Sequence, residues 1–304
     1  MRKIIFILFF LSAKAFSISS SDAFLPINCI KGQQLSTHLL DKHYQSGPFT
    51  IYYTLEGEDK LSNVTSSSQK FPPLRVLDIA KQLNAANDFY QHDVHLTFPL
   101  NQVLYKKITH INVFIIALKL KGSAFDKPAF EIFSDGSTTP CGLRIMISNK
   151  LDPTRKQTPA HELFHLYQYG YSIFKQQWYI EGMARFMETT FKDDENTRVE
   201  INAPFMCYPW YSQSYKAAIF WQSIAHHYND IRVTVPQIYY SNKEPVFKKK
   251  VFTGGGMVMA LLNGLKVKSQ EMAIDDNRPI RNWTSVQRRR PQDNDTICRV
   301  VNGL

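Results

Sequence analysis

The amino-acid sequence predicts an α+β fold, in which an upper lobe built on a mixed β-sheet carries a long helix and a lower lobe is mainly helical. Three observations lead to this fold class. The first half of the chain contains short apolar runs rich in β-branched and aromatic residues, which is typical of strands. Apolar residues at helical spacing lie between those runs and predominate in the second half. The composition, 44% hydrophobic and 20% charged, is that of a globular chain.

The start of the chain has the three parts of a secretory signal peptide. Arg2 and Lys3 are basic, the run from Ile4 to Ala13 is apolar, and small residues near Ala15 or Ser17 offer a cleavage site. We therefore expect a signal peptide at residues 1–17 and a secreted or periplasmic protein. The apolar run is too short to cross a bilayer, and no later run approaches the roughly 18 apolar residues that a membrane span needs.

Residues 18–304 are expected to form a single two-lobed domain. The upper lobe spans about residues 45–172, the lower lobe about 173–270, and a C-terminal tail about 271–304. The chain that remains after the signal peptide is long enough for one domain with a sizeable hydrophobic core.

The upper lobe is expected to follow the order strand, helix, strand, strand, helix. Its predicted strands are Phe49 to Leu55, Ile108 to Leu118 and Leu143 to Ile147. Leu74 to His92 is predicted to be a helix, because its apolar residues recur at helical spacing. We expect Thr158 to be the N-cap of the last helix, since the following proline is tolerated in a first turn but breaks a helix interior.

Three helices are predicted in the lower lobe. They are Trp178 to Phe191, Tyr215 to Tyr228 and Met257 to Lys266. Gly170 is expected to end the preceding helix, and a loop of about residues 169–177 is expected to lead into the lower lobe.

The most informative motif is HExxH, formed by His161, Glu162 and His165. Residues four apart on an α-helix are separated by about 400° of rotation and about 6 Å of rise, so the two histidines share a face and can bind one metal ion. Glu162 lies about 100° from His161, where its carboxylate can reach a water on the metal without being a ligand. The motif predicts a zinc site with a neighbouring general base.

A third protein ligand is expected downstream, because catalytic zinc usually has three protein ligands and one water. Glu181 follows His165 after enough residues for a loop and the start of a second helix. Glu188 lies two helical turns further along and on the same face. We expect Glu188 to hydrogen-bond the outer nitrogen of a ligand histidine and thereby to set its tautomer. Gly182 and Ala184 are small, as a close approach of two helices requires.

These segments resemble a known family of zinc peptidases. HExxH followed by WxxEGxAxxxE at residues 178–188 is similar to the gluzincins, in which glutamate is the third ligand, and especially to peptidase-MA-like secreted metalloproteases of bacteria. Ala160 to Tyr171 resembles the family's AHExFHxxQxGY, and Tyr215 to Ile224 resembles its YxxAxxFWxxL. The similar motifs cover roughly residues 158–228. The step from His165 to Glu181 is shorter than in thermolysin, so the resemblance is to the peptidase-MA-like group.

The resemblance implies a zincin-like fold and a single Zn²⁺ ion bound by His161, His165 and Glu181. It implies hydrolysis of peptide bonds. A metzincin is excluded because Gln168 and Tyr171 stand where that class requires glycine and histidine. The segment before the zinc helix also lacks a GxMEN-like motif, with which aminopeptidases of this clan hold a free amine, and this favours an endopeptidase.

Each predicted catalytic residue has an expected role. Two imidazoles and one carboxylate would leave zinc Lewis-acidic enough to bring the pKa of a bound water towards neutrality. Glu162 is expected to take the proton of the attacking water and pass it to the leaving amine. The negative charge that develops on the carbonyl oxygen requires a hydrogen-bond donor. Tyr215 is our candidate for this donor, and Tyr211 is the alternative.

The cysteines and the net charge indicate the compartment and the partners. Cys29, Cys141, Cys207 and Cys298 are expected to form two disulfides in an oxidising environment, and all three pairings remain open. The formal charge is +10, and about +7 remains without the signal peptide. Basic clusters at residues 248–250 and 288–290 are either solvated faces or attract acidic partners. We expect a protein or peptide substrate and find no nucleic-acid motif.

Two other functions stay open on the sequence alone. A catalytically silent zincin-fold protein would bind a partner without cleaving it, although such proteins generally lose a ligand or the base, and here all four residues are present. A metal-dependent hydrolase would act on a substrate other than a peptide. Measuring bound zinc, and the hydrolysis of unfolded protein before and after Glu162→Ala, separates these functions.

Overall fold

A six-stranded mixed sheet packed against helices forms the centre of the molecule in the computed structural model, which describes residues 18–62, 72–193, 199–228 and 232–304. The sheet and helices confirm the predicted α+β class. The predicted signal peptide, residues 1–17, lies outside the described residues. Among the described residues, no helix combines the length and the apolar character needed to cross a membrane.

The strands of the main sheet are β1 (Ile30–Lys31), β2 (Lys42–Ser46), β3 (Phe49–Tyr53), β4 (His110–Ile116), β5 (Gly122–Phe130) and β6 (Gly142–Ser148). Their spatial order is β1-β5-β6-β4-β3-β2. Strands β3, β4 and β6 are mutually parallel, whereas β2 and β5 run antiparallel to their neighbours β3 and β6. Two further strands, β7 (Arg232–Thr234) and β8 (Val251–Thr253), form a separate antiparallel pair.

The main core lies between the sheet and two helices, α2 (Leu74–Asp88) and α3 (Thr158–Tyr171). Alternate residues of β4 explain this layer: Ile111, Val113 and Ile115 belong to the main core, whereas Phe114 and Ile116 belong to a smaller cluster on the opposite face. This alternation is the period-2 pattern of a strand. Almost every residue of α3 is buried, so the helix that carries HExxH lies inside the molecule.

The other α-helices of the described residues are α1 (Ser20–Ala23), α4 (Gln177–Met187), α5 (Ala218–His227), α6 (Gly255–Asp275) and α7 (Asp293–Asn302). Of these, α4 and α6 pack against α3. The predicted tail, residues 271–304, therefore contains the end of α6 and all of α7. It is joined to the rest by a hydrogen bond of 2.7 Å from Trp178 Nε1 to Asn294 Oδ1.

Two disulfides are present, as predicted. The structure pairs Cys29 with Cys141 and Cys207 with Cys298. The first lies near the β1 edge of the sheet, and the second joins α7 to the segment that precedes α5.

The structure also corrects several predicted boundaries. Gln157, rather than Thr158, is the N-cap of α3, so Pro159 still lies within the first turn. The helix continues through Gly170 to Tyr171, which shortens the predicted loop. Strand β5 was not predicted, because its sequence mixes lysine, aspartate and proline with apolar residues and most of its side chains are only partly buried.

Candidate metal centre

The N-terminal end of α3 is anchored by α2. Gln82 Nε2 donates to the carbonyl of Lys156 at 3.2 Å, and Gln82 Oε1 accepts from the amide of Ala160 at 3.3 Å. The hydroxyl of Tyr90 donates to the carbonyl of Ala160 at 3.1 Å. These buried contacts fix the turn that directly precedes His161, because buried polar groups that lose their partners cost free energy.

The ligand-bearing helix α4 is held against α5 by close packing. A Cβ atom placed on Gly182 would lie 2.7 Å from the Cβ of Ala217, so this contact admits only glycine. The indole Nε1 of Trp221 donates to the carbonyl of Trp178 at 2.8 Å, and the two indole rings stack with centroids 5.2 Å apart. The close approach expected at Gly182 is therefore present, and it fixes the orientation of the neighbouring Glu181.

Three predicted ligands converge at one point. One ligand atom from each of His161, His165 and Glu181 lies within 4.8 Å of the other two. Glu181 Oε2 is 3.1 Å from His161 Nε2 and 3.6 Å from His165 Nε2. The two imidazole rings are nearly perpendicular, at 89°, with centroids 4.6 Å apart.

This geometry fits a tetrahedral zinc ion. Ligand atoms about 2.1 Å from a tetrahedral zinc are about 3.4 Å from one another. The two distances to Glu181 Oε2, 3.1 and 3.6 Å, lie on either side of that value. Two imidazole nitrogens and one carboxylate oxygen are also a donor set that catalytic zinc uses. The residues present therefore fit the metal that the motif predicts.

The outer nitrogen of each histidine lies beside a polar side chain. Glu188 Oε1 is 2.8 Å from His161 Nδ1, an ion-pair distance, although the contact does not have the geometry of the hydrogen bond that the sequence predicts. Gln168 Oε1 lies 2.9 Å from His165 Nδ1, and Gln168 Nε2 donates to the carbonyl of Tyr179 at 3.3 Å. Both contacts direct the Nε2 atom of the ring towards the shared centre, which is how protein groups around a metal site orient its ligands.

Charges within the centre shift the pKa values of its members. Burial lowers the pKa of His161, but the carboxylates of Glu181 and Glu188 outweigh burial and raise it to about 10. Burial raises the pKa of Glu181, but His161 and His165 outweigh burial and hold it well below its usual range. The protein thus surrounds His161 with carboxylates that favour a positive charge at this position, and a divalent cation would supply that charge.

Glu162 lies against the first residue of β5. A Cβ atom placed on Gly122 would lie 2.7 Å from Glu162 Oε1 and 2.5 Å from Thr158 Cγ2. Gly122 therefore leaves the space that the Glu162 carboxylate occupies. Burial raises the pKa of Glu162, and His165 and His161 act in the opposite direction. A carboxylate with a raised pKa is better matched to proton transfer near neutral pH.

The two candidate tyrosines lie in different surroundings. Tyr215 is half exposed and its ring centroid is 5.7 Å from that of His161. Burial and the negative charge of Glu181 raise the pKa of Tyr215 to about 12, so its hydroxyl keeps its proton. The hydroxyl of Tyr211 instead donates to Asp295 Oδ1 at 2.8 Å. The structure brings Tyr215 to the centre and directs Tyr211 towards α7.

Sequence reasoning missed three residues of this region. Gln168 had a signal, since it lies one helical turn after His165 and within the AHExFHxxQxGY pattern. Tyr169 stacks on His165 with centroids 5.9 Å apart and an interplanar angle of 15°, and no spacing rule indicated this contact. Gly122 belongs to the strand that was not predicted.

Comparison with known proteins gave no assignment. Neither the protein-family models, nor the curated proteins, nor the solved structures contained a match to this chain.

Proposed function

We propose that this protein is a secreted, zinc-dependent endopeptidase with a zincin-like fold. The observation that carries the proposal is the convergence of His161, His165 and Glu181 within 4.8 Å, with Glu162 next to the first ligand on the same buried helix. The two disulfides are consistent with export to an oxidising compartment.

The proposed mechanism uses the chain's own residues for proton transfer and charge stabilisation. When bound, zinc supplies Lewis acidity, which polarises the substrate carbonyl and favours loss of a proton from water. Glu162 removes that proton during attack on the carbonyl carbon and delivers it to the departing amine. Tyr215, which remains protonated up to a pKa of about 12, donates a hydrogen bond to the carbonyl oxygen as negative charge develops there.

Strand β5 favours a peptide over other substrates. It pairs with β6 on one side, while β1 pairs only with Ala129 and Phe130 on the other. Among the described residues, the backbone from Gly122 to Asp126 therefore has no strand on its outer side. An extended peptide can add to such an edge through main-chain hydrogen bonds, and Gly122 lies directly beside the proposed base.

The test measures zinc and peptide hydrolysis together. Purified protein should contain about one zinc per chain and should cleave unfolded casein. Glu162→Gln should keep the zinc and lower cleavage by roughly a thousand-fold, because the general base is lost. Glu271→Gln on α6, an exposed position that pairs with Lys268, is the matched control and should keep full activity. Zinc binding without cleavage of casein or of a peptide library would reject the peptidase and favour a binding protein.

A further inference from the structure

The cleft beside the metal centre continues into a basic cavity. A cavity of about 530 Å³ is lined by His161, Glu162 and Tyr215. A second cavity, of about 600 Å³, adjoins it. Lys121, Lys156, Gln157 and Arg185 line both. A substrate held at the centre can therefore extend into the second cavity.

Positive charge predominates in the second cavity. Its lining has six basic side chains against two acidic ones, Asp193 and Glu244. Four of the six basic side chains already have an acidic partner: Lys248 pairs with Glu244, Arg155 with Asp152, and both Arg185 and Lys192 with Glu188. Lys121 and Lys156 are exposed and have no ion-pair partner in the part of the chain that the structure describes. Lys119, also exposed, lines the first cavity on the same side. These lysines are available to a negatively charged ligand.

The start of α3 adds to the positive electrostatic potential of the cavities. Gln157, its N-cap, and Thr158, its first residue, line the cavity between the lysines and the centre. The N-terminal end of a helix carries a partial positive charge. The lysines and the helix end therefore both favour the binding of a carboxylate.

The direction of β5 decides which part of a peptide meets these lysines. Gly122 lies beside Glu162, and Lys121 precedes it, so the basic cavity lies beyond the N-terminal end of the strand. Antiparallel pairing is the more stable of the two strand pairings, and a peptide paired in this way with β5 points its C-terminal half in that direction. We propose that this cleft selects peptides with aspartate or glutamate on the C-terminal side of the scissile bond, bound by Lys119, Lys121 and Lys156. The inference rests on the proposed peptidase function.

Cleavage of a proteome-derived peptide library tests the preference. Wild-type protein should enrich aspartate and glutamate in the first three positions after the cleaved bond. Lys121→Gln combined with Lys156→Gln should reduce this enrichment by about three-fold per lysine, the scale of exposed ion pairs. Lys107→Gln removes the same charge from a position just before the N-terminal end of β4, outside the lining of both cavities, and should leave the enrichment unchanged. Cleavage with no acidic enrichment, or with enrichment only before the cleaved bond, would overturn the inference and leave the peptidase assignment intact.

A binding measurement separates this inference from the peptidase assignment. Zinc-loaded Glu162→Gln protein is titrated into a labelled decapeptide of five alanines followed by five glutamates, and into its glutamine counterpart. The glutamate peptide should bind at least about five-fold more tightly, and the Lys121→Gln and Lys156→Gln double substitution should remove the difference while Lys107→Gln keeps it. Equal binding of both peptides would overturn the inference whether or not the wild type cleaves. Absence of cleavage with the glutamate preference retained would reject only the peptidase.

Discussion

Two buried clusters of charged side chains in this molecule differ in which positive groups balance their carboxylates. In the first cluster, Asp126 of β5 is 2.9 Å from Lys175 Nζ and 2.6 Å from an Arg288 guanidinium nitrogen. One carboxylate there meets two cations of the protein. In the second cluster, the metal centre, the carboxylates of Glu181 and Glu162 lie near the imidazole rings of His161 and His165.

The difference lies in where the protein places its own cations. Within the metal centre, Arg185 and Lys192 both pair with Glu188, whereas Glu181 lies against His161 and His165. A buried carboxylate without a counter-charge is costly. The Asp126 cluster is balanced by cations of the protein, whereas the carboxylates of the metal centre lie beside histidines, and under the proposed function a zinc ion would supply further positive charge. Burial of a carboxylate alone therefore does not indicate a metal site, because the cations that the protein itself places nearby also count.

The largest expected effect is loss of zinc on neutralising Glu181. Glu181→Gln keeps the shape of the side chain but weakens a ligand, and zinc affinity should fall by about a thousand-fold. This loss is a fraction of the total free energy of zinc binding by protein sites, which is roughly 10–16 kcal/mol. Competition with a fluorescent chelator measures the change. Asp126→Asn is the control and should bind zinc as the wild type does. Unchanged zinc affinity in Glu181→Gln would remove Glu181 from the centre.

Substitution of Asp126, the carboxylate of the other cluster, should lower the stability of the fold. Asp126→Asn leaves Lys175 and Arg288 without their carboxylate, and the free energy of unfolding should fall by about 3 kcal/mol. Asp135→Asn, at an exposed turn, should change it little in the same urea titration. Burial raises the pKa of Asp126, but Lys175 and Arg288 outweigh it and the net pKa is lowered.

The direction of that pKa shift sets the pH dependence. The stabilisation by Asp126 is present above the unfolded-state pKa of about 3.9 and is lost as the pH falls below it. The difference between wild type and Asp126→Asn should therefore be largest near neutral pH and should shrink at acid pH. A constant difference down to about pH 2 would contradict the charge explanation.

A smaller effect is expected from the proposed hydrogen-bond donor. Tyr215→Phe should lower kcat by about a hundred-fold with little change in zinc content, the scale for loss of one donor to a developing oxyanion. Tyr211→Phe removes the same hydroxyl from a tyrosine bonded to Asp295, and it should leave kcat near the wild-type value. Equal losses in both variants would point to packing in place of charge stabilisation.

The smallest effect is expected from the partner of His165. Gln168→Ala removes the acceptor at Nδ1, and zinc affinity should fall by about ten-fold. Gln168→Glu restores an acceptor and should recover most of the affinity. Failure of both variants to change zinc binding would show that His165 needs no such partner.

The sequence by itself determined the local part of this site. Helical geometry places His161 and His165 on one face whatever surrounds them, because residues four apart on a helix always are neighbours. The same periodicity put Glu188 on the face of Glu181. The strands at Phe49, Ile108 and Leu143 were also readable, since buried strands are rich in β-branched and aromatic residues.

Only the tertiary structure decided which distant residues meet. Strand β5 has no clear apolar pattern, so neither Gly122 beside Glu162 nor the lysines at its end could be assigned to the cleft beforehand. Tyr215 and Tyr211 differ by four positions, and their roles diverge because Asp295 on α7 accepts from one of them. The cysteine pairing was open for the same reason: sequence encodes the conformation of neighbours along the chain, whereas packing of the whole chain determines contacts between distant elements.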